Sequence, residues 1–404
     1  MMTDHEFGFA EPAPAFLPSP AVDEAERLAR LRLIRSRRVG PATYLRLMGE
    51  HGRAAAALDA LPEVARAAGV VDYAPCPEPV AVAELRAARR AGARMICLGD
   101  ADYPADLAAT ADAPPVLWAR GKSALLSRPM LALVGTRNAS ALGTRMARQL
   151  AADLGAAGFI IVSGLARGID ALAHRAALDT GTVAVMAGGL DVVYPTENTD
   201  LAHDIAKQGL CLSEMPFGLH PQARHFPRRN RIVSGLSRAV IVVEAAARSG
   251  SLITARIALD QGREVLAVPG HPMDSRSGGS NLLIRDGAIL IRGAEDVIEA
   301  LGTLGLPTPA PAPRSAPPPA QTGPAPAPRK APLPTQTTPA IAAAPPAGGD
   351  EGAILALLGP EPVAEDQLIR DLGRPPRAVA QALAILEMAG RISRGAGGFV
   401  SRID

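Results

Sequence analysis

From about residue 105 to residue 301, short runs of Val, Ile, Leu and Ala alternate with amphipathic helical stretches, and this alternation constrains the fold more than any other feature of the chain. The runs expected as strands are Met130–Val134, Phe159–Val162, Thr182–Met186, Leu210–Ser213, Ala239–Val243 and Glu264–Val268. Helices fit between them, for example over Leu142–Ala157 and Ile169–Asp179. A strand that is apolar throughout must be covered on both faces, and strands separated by helices connect most simply in parallel. The pattern predicts an α/β domain with an extended Rossmann-like, doubly wound, mostly parallel sheet, whose ligand lies at the carboxyl ends of its strands. Aromatic residues are only 3% of the chain while hydrophobic residues are 48%, so the core must be built from aliphatic side chains.

The flanks read differently. Residues 1–22 are rich in Ala and Pro and are expected to form a flexible tail. Residues 23–104 are expected to hold a helical module and its connection. Leu28, Leu31 and Ile34 recur at helical spacing, Val39-Gly40-Pro41 interrupts them, and Tyr44, Leu47 and Met48 form the next apolar face. Two helices across a short glycine turn suggest a SAM-like or helix-hairpin-helix module, whose turn amides can meet a phosphate. The same pattern also suits a plain helical cap on the main domain. Residues 303–350 contain 15 prolines and little periodicity, the composition of a semi-extended linker. Residues 351–404 then give three helical segments and the hairpin-like Arg391–Ser393 and Gly398–Val400, a winged-helix pattern.

Net charge is +2, with 42 basic and 40 acidic residues, so any nucleic-acid contact must come from local clustering. Cys76, Cys97 and Cys211 are far apart and form no C-x-x-C pair, which points away from disulfides or a zinc site and towards a reducing cytoplasm. The polar, acidic first residues do not read as a signal peptide, and no apolar run approaches a membrane span.

Three glycine-rich turns and one basic run carry the chemistry. The first expected strand enters Gly135-Thr136-Arg137-Asn138-Ala139-Ser140 ahead of a helix, an arrangement that favours an anion beside a forked cation. The second enters Ser163-Gly164-Leu165-Ala166-Arg167-Gly168, and a later one leads to Ser249-Gly250-Ser251 at another helix start. A dinucleotide site would need G-x-G-x-x-G and an acid ending the second strand, and neither is present. Gly121-Lys122-Ser123 imitates the end of a Walker motif, but Val116 stands where its earlier glycine belongs. No cofactor or metal is therefore expected. Between residues 224 and 238 there are five arginines and no acid, in a run containing Arg224, Phe226, Arg228, Arg229, Asn230 and Arg231. It reads either as a solvated basic loop or as a nucleic-acid contact, with Phe226 offering a ring to a base. Asp170 and His174, four apart on one expected helix, read as a structural hydrogen-bonding pair or as two ligands lacking a third. Asp191, Tyr194, Glu197 and Asn198 are placed to rim the same strand-end crevice.

These residues resemble one family closely. Gly135-Thr136-Arg137 with Ser140, Ser163–Asp170 with His174, Gly188–Asp191 with Tyr194-Pro195 and Glu197-Asn198, Phe226–Ser237, Arg248–Ala255, Val268-Pro269-Gly270, Gly279-Ser280-Asn281 and Gly287-Ala288 together look like the DprA (Smf) family, in order across the domain. The resemblance implies a non-enzymatic, single-stranded DNA-binding recombination mediator. Such a protein protects incoming DNA, dimerises and loads the recombinase RecA during natural transformation, with single-strand binding protein as a further candidate partner. It implies phosphate contacts at Arg137, the Ser163-Gly164 turn, Arg228–Arg231 and Ser249–Ser251. Some members carry a lysine three residues before the phenylalanine, where this chain has Ala223 followed by Arg224. The resemblance also extends to SAM-like and winged-helix flanking modules. Two other readings stand beside it. One is a nucleotide-cleaving phosphoribohydrolase-like enzyme using Glu244, although the P-G-G-x-G-T-x-x-E pattern of those enzymes is absent. The other is a winged-helix regulator reading duplex DNA with Arg374 and Arg377, against which a protein-contact role for that module is preferred.

Overall fold

The computed structural model describes residues 23–305, 350–358, 363–395 and 399–402. The expected tail at 1–22 and nearly all of the expected linker lie outside them. The chain divides into two compact units on either side of the proline-rich segment.

The first unit opens with four helices, α1 (Glu24–Arg35), α2 (Pro41–His51), α3 (Ala54–Ala67) and α4 (Glu78–Arg90). Asp23 caps α1 by accepting from the Glu26 amide, with acids in its first turn and Arg32 and Arg35 in its last, the arrangement that opposes the helix dipole. Leu33, Tyr44, Leu47, Leu58 and Leu61 form a small core among α1, α2 and α3. Leu31 of α1 and Ala81 and Ala88 of α4 face the other way and join the core of the sheet. The two readings of this segment are thus both met: it has its own core, and it also caps the main domain.

The sheet begins at β1 (Arg94–Cys97) and continues with β2 (Val116–Gly121), β3 (Met130–Val134), β4 (Ile160–Ser163), β5 (Thr182–Val185), β6 (Leu210–Ser213), β7 (Ala239–Val242), β8 (Glu264–Ala267) and β9 (Ile289–Leu290). Their spatial order is β1-β2-β6-β5-β4-β3-β7-β8-β9. The pairs from β6 to β9 are parallel, whereas β1–β2 and β2–β6 are antiparallel. All six expected strands are present within a residue at either end. The antiparallel edge was not expected. β1 lies in the stretch read as the helical module's connection, so the sheet starts earlier than residue 105. The run Arg94-Met95-Ile96-Cys97 is followed only by the one-turn helix α5 (Ala105–Ala108), too short to mark it as a strand from sequence.

Successive residues of each strand feed opposite faces. Ala132, Val134, Val240 and Val242 point into one core, and Leu131, Leu133, Ile241 and Val243 into the other. The first face is covered by α9 (His225–Gly235) and α10 (Ser251–Asp260), and the second by α6 (Ala141–Ala156), α7 (Ile169–Ala176) and α12 (Ala294–Thr303), while α8 (Thr199–Gln208) and α11 (Gly278–Arg285) lead into β6 and β9. Each fully buried Leu or Ile contributes about 1.5–3 kcal/mol. The chain moves outward in one direction from β3 to β6 and in the other from β7 to β9, so the switch point lies between β3 and β7.

The second unit has three helices, Asp350–Leu357, Glu365–Leu372 and Pro376–Met388, and a small sheet in which Phe399–Arg402 pairs with both Val363–Ala364 and Ile392–Gly395. Ile354, Leu368, Val379, Leu383, Leu386 and Val400 form its core. This is the expected winged-helix arrangement, with one added short strand. Among the described residues, no helix is long and apolar enough to cross a membrane.

Candidate nucleic-acid interface

At the switch point the loop after β3 is tied to the loop after β7. The Thr136 amide donates to the Glu244 carbonyl at 2.7 Å. The Glu244 side chain accepts from the Ser140 amide at 3.0 Å and from its hydroxyl at 3.1 Å. The Ser140 hydroxyl oxygen in turn caps α6 by accepting from the Gly143 amide at 2.9 Å. Thr136 and Ser140 therefore hold the loop in place. Arg137, between them, is exposed, with its guanidinium 5.7 Å from the Phe226 ring centroid.

The turn between β4 and α7 closes on itself. Asp170 Oδ2 accepts from the amides of Gly164 at 3.1 Å and Ala166 at 3.4 Å, and the Ser163 hydroxyl donates to the Leu133 carbonyl at 2.6 Å. Gly168 takes φ +70°, where a side chain is strained, and a Cβ there would run into the Thr136 carbonyl. The expectation that this turn offers free amides to a phosphate is corrected: the chain's own carboxylate already occupies two of them. Ser163 is fully buried and makes no part of the cavity wall.

Arg229 is the keystone of this region. It is buried, donating to the carbonyls of Gly164 and of Val185, the latter at 2.9 Å, and to Asn230 Oδ1 at 3.1 Å. A Cβ at Gly164 would collide with this guanidinium, so only glycine leaves it room. Burial draws Arg229 below its ordinary value against the pull of Asp170, and burial raises Asp170 against the pull of Arg229.

His174, on the same helix as Asp170, lies in the core with Nδ1 2.7 Å from the Thr182 hydroxyl, which donates to the Ile161 carbonyl. Burial, reinforced by Arg229, lowers its pKa from 6.5 to about 3. The folded protein therefore keeps His174 neutral where the unfolded chain takes up a proton. Its contribution to stability is intact above pH 6.5 and is lost as the pH falls below that, by about 1.4 kcal/mol per unit. Replacing His174 with Gln is expected to flatten the fall in melting temperature between about pH 6.5 and pH 5. Parallel melting curves for the two proteins across that window would refute the assignment.

The basic run forms α9 rather than a loop, and helical spacing sorts its residues. Phe226, Arg229, Asn230 and Val233 share one face and line a cavity of about 560 Å³ with Gly135, Arg137, Gly164, Ser249, Gly250 and Ser251. Arg228 and Arg231 face elsewhere. Arg231 is buried in an ion pair with Glu214, with Asp112 also near, and Arg228 lies 3.7 Å from Glu214. Arg224 turns to His225, 3.4 Å from its Nε2. Arg228 and Arg231, expected as phosphate contacts, and Arg224, expected in the nucleic-acid contact, thus lie off the cavity wall. The run has no acid within it, but Asp112 and Glu214 reach it from distant segments. Ala223 lines the cavity, so Arg224 does not replace the lysine that some relatives carry there.

On the far wall, the Ser249 and Ser251 hydroxyls are 2.7 Å apart at the start of α10, as expected for a polar helix entrance. Glu244 is buried on the other side of the β3–α6 loop, with one oxygen engaged by Ser140 and the other 3.6 Å from Arg276. It lines a separate cavity of about 440 Å³ rather than the one that holds Arg137. Of the rim candidates, Asp191 accepts from the Gly218 amide and Asn198 donates to the Leu165 and Ala166 carbonyls. Glu197 pairs with Arg167, and Tyr194 meets Phe226 with ring centroids 5.7 Å apart.

Residues 94–302 match the family described as DNA recombination-mediator protein A, residues 24–87 the DprA-like N-terminal HHH domain, and residues 337–398 the DprA winged helix domain. The chain is 46% identical over 220 residues to the DNA processing protein DprA of Bacillus subtilis, covering 54% of this chain and 74% of that one. It is 40% identical over 301 residues to Protein Smf of Escherichia coli, covering 74% of each. The crystal structure of DprA from Streptococcus pneumoniae superposes with a TM-score of 0.57 at 35% identity, covering 68% of this chain and 96% of that one. With its three modules matched in order and its switch-point crevice built from the motif residues, the chain belongs to the DprA family of DNA recombination mediators.

Proposed function

We propose that the cavity at the switch point binds single-stranded DNA, and that the chain, as a homodimer, protects incoming strands and loads a RecA-type recombinase onto them in the cytoplasm. The observation that carries this reading is the meeting of an exposed guanidinium, Arg137, with the Phe226 ring at a cavity whose other wall is the polar entrance of α10. A cation takes a phosphate, and a ring takes any base without regard to sequence. The chain acts in this reading by binding rather than by catalysis. Supporting this, Glu244, the candidate base, has one carboxylate oxygen engaged by the Ser140 amide and hydroxyl.

Fluorescence anisotropy with labelled single-stranded and duplex oligonucleotides of one sequence, at two salt concentrations, tests the proposal. Single strands are expected to bind more tightly, with affinity falling as salt rises because bound counterions are released. Equal affinity for both forms, or no salt dependence, would overturn it. In a second arm, adding the protein is expected to speed recombinase assembly on strands coated with single-strand binding protein.

A further inference from the structure

We propose that the cavity holds two neighbouring nucleotides with their bases splayed apart, one base inside and the next stacked on Tyr194, with Arg137 gripping the phosphate between them. The inference rests on the reading of the cavity as a single-strand site and adds how that site tells one strand from two.

Arg137, Gly164, Ala166, Phe226 and Arg229 line two depressions at once. One is the main cavity of about 560 Å³, and the other is an adjoining recess of about 40 Å³ that Arg167, Tyr194 and Pro195 line in addition. The larger has room for a base. The smaller does not, so a base on that side can only lie against the outer face of a ring. Tyr194 provides one. It is 54% exposed, and among the described side chains it is the one aromatic ring more than a third exposed, in a chain with few rings to spend on its surface.

The tyrosine is held in place. Its loop is pinned on one side by the Asn198 side chain, which donates to the Leu165 and Ala166 carbonyls at 3.0 and 3.2 Å. On the other side Asp191 accepts from the Gly218 amide at 2.8 Å. Tyr194 also leans on Phe226, with the rings inclined by 57°. A rigid ring loses little freedom when a base stacks on it, which favours binding. Arg137 therefore borders both a concave base site and a convex one. Adjacent bases reaching both must part from each other. Bases in a duplex are held stacked and paired, and cannot do so without breaking pairs.

The test uses the full chain and three variants. Tyr194→Ala is expected to weaken binding of a thymidine oligonucleotide by about five- to a hundred-fold, the range for losing one base stack, while leaving duplex affinity unchanged. Tyr194→Phe should bind like the wild type, since the hydroxyl takes no part. Tyr194→Trp supplies an optical readout. The chain's single tryptophan, Trp118, is 1% exposed, so oligonucleotide should leave the wild-type emission unaltered and quench the emission of the variant. Wild-type affinity in Tyr194→Ala, or unquenched emission from a Tyr194→Trp protein that has bound the strand, would overturn the splayed arrangement while sparing the single-strand site. If the wild type bound no oligonucleotide, the site itself would fall, and the splaying with it.

Discussion

Replacing Arg137 with Ala is expected to lower affinity for single-stranded oligonucleotides by about ten- to a hundred-fold, the range for losing one hydrogen-bonded charge contact. The loss should be the same for every sequence, because a guanidinium on phosphate reads no base. It should also flatten the logarithmic salt dependence by about 0.7, the share of one phosphate on a single strand. Melting temperature should stay close to that of the wild type, since Arg137 is exposed and the loop is fixed by Thr136 and Ser140 on either side of it. Unchanged affinity, or a loss confined to some sequences, would remove Arg137 from the phosphate path.

Arg229→Met produces a failure of a different kind. This side chain ties α9 to the β4–α7 turn and to the end of β5 through the Gly164 and Val185 carbonyls, and it offsets the buried Asp170. Methionine fills similar space but leaves the Gly164 and Val185 carbonyls without their donor, a loss of about 1–3 kcal/mol for each buried group left unpaired, and removes the charge that draws Asp170 down. Chemical unfolding should show the loss directly. Pairing the change with Asp170→Asn should recover part of it, because the charge of each group bears on the other. Additive losses in the double variant would mean that the two groups act separately. Strand binding should fall as well, through displacement of Phe226 and Asn230, which share the face of α9 with Arg229.

The parts of the molecule legible in its sequence are those where a local pattern has one physical outcome. Met130–Val134 and Ala239–Val242 are apolar at every position, and only a strand buried on both faces uses such a run fully. Gly135-Thr136-Arg137 and Ser249-Gly250-Ser251 each follow such a strand, which brings them to one edge of the sheet. The basic run was harder to read. His225–Gly235 begins with Arg224 in place of a capping residue and contains Pro227 and Gly235, so its propensity for helix is weak and its charges look continuous. Packing of Ile232 and Val233 against the sheet makes it a helix, and the helix then divides the arginines between the cavity and Glu214. The use of the Gly164 and Ala166 amides by Asp170 was also out of reach, since nothing in the residue order says which way a first-turn carboxylate folds back.

That internal carboxylate, with Glu244 at the start of α6, shapes how a strand would leave. Fixed backbone donors hold an anion in a set geometry and release it only when all of them let go. Here those at Gly164, Ala166 and Ser140 are already taken by the protein's own acids, and in the proposed single-strand reading the grip would fall to the exposed Arg137 guanidinium, the rings and the entrance of α10. Such contacts break one nucleotide at a time. A strand held this way would be peeled away progressively instead of waiting for a single large dissociation, as the proposed hand-over to a recombinase requires.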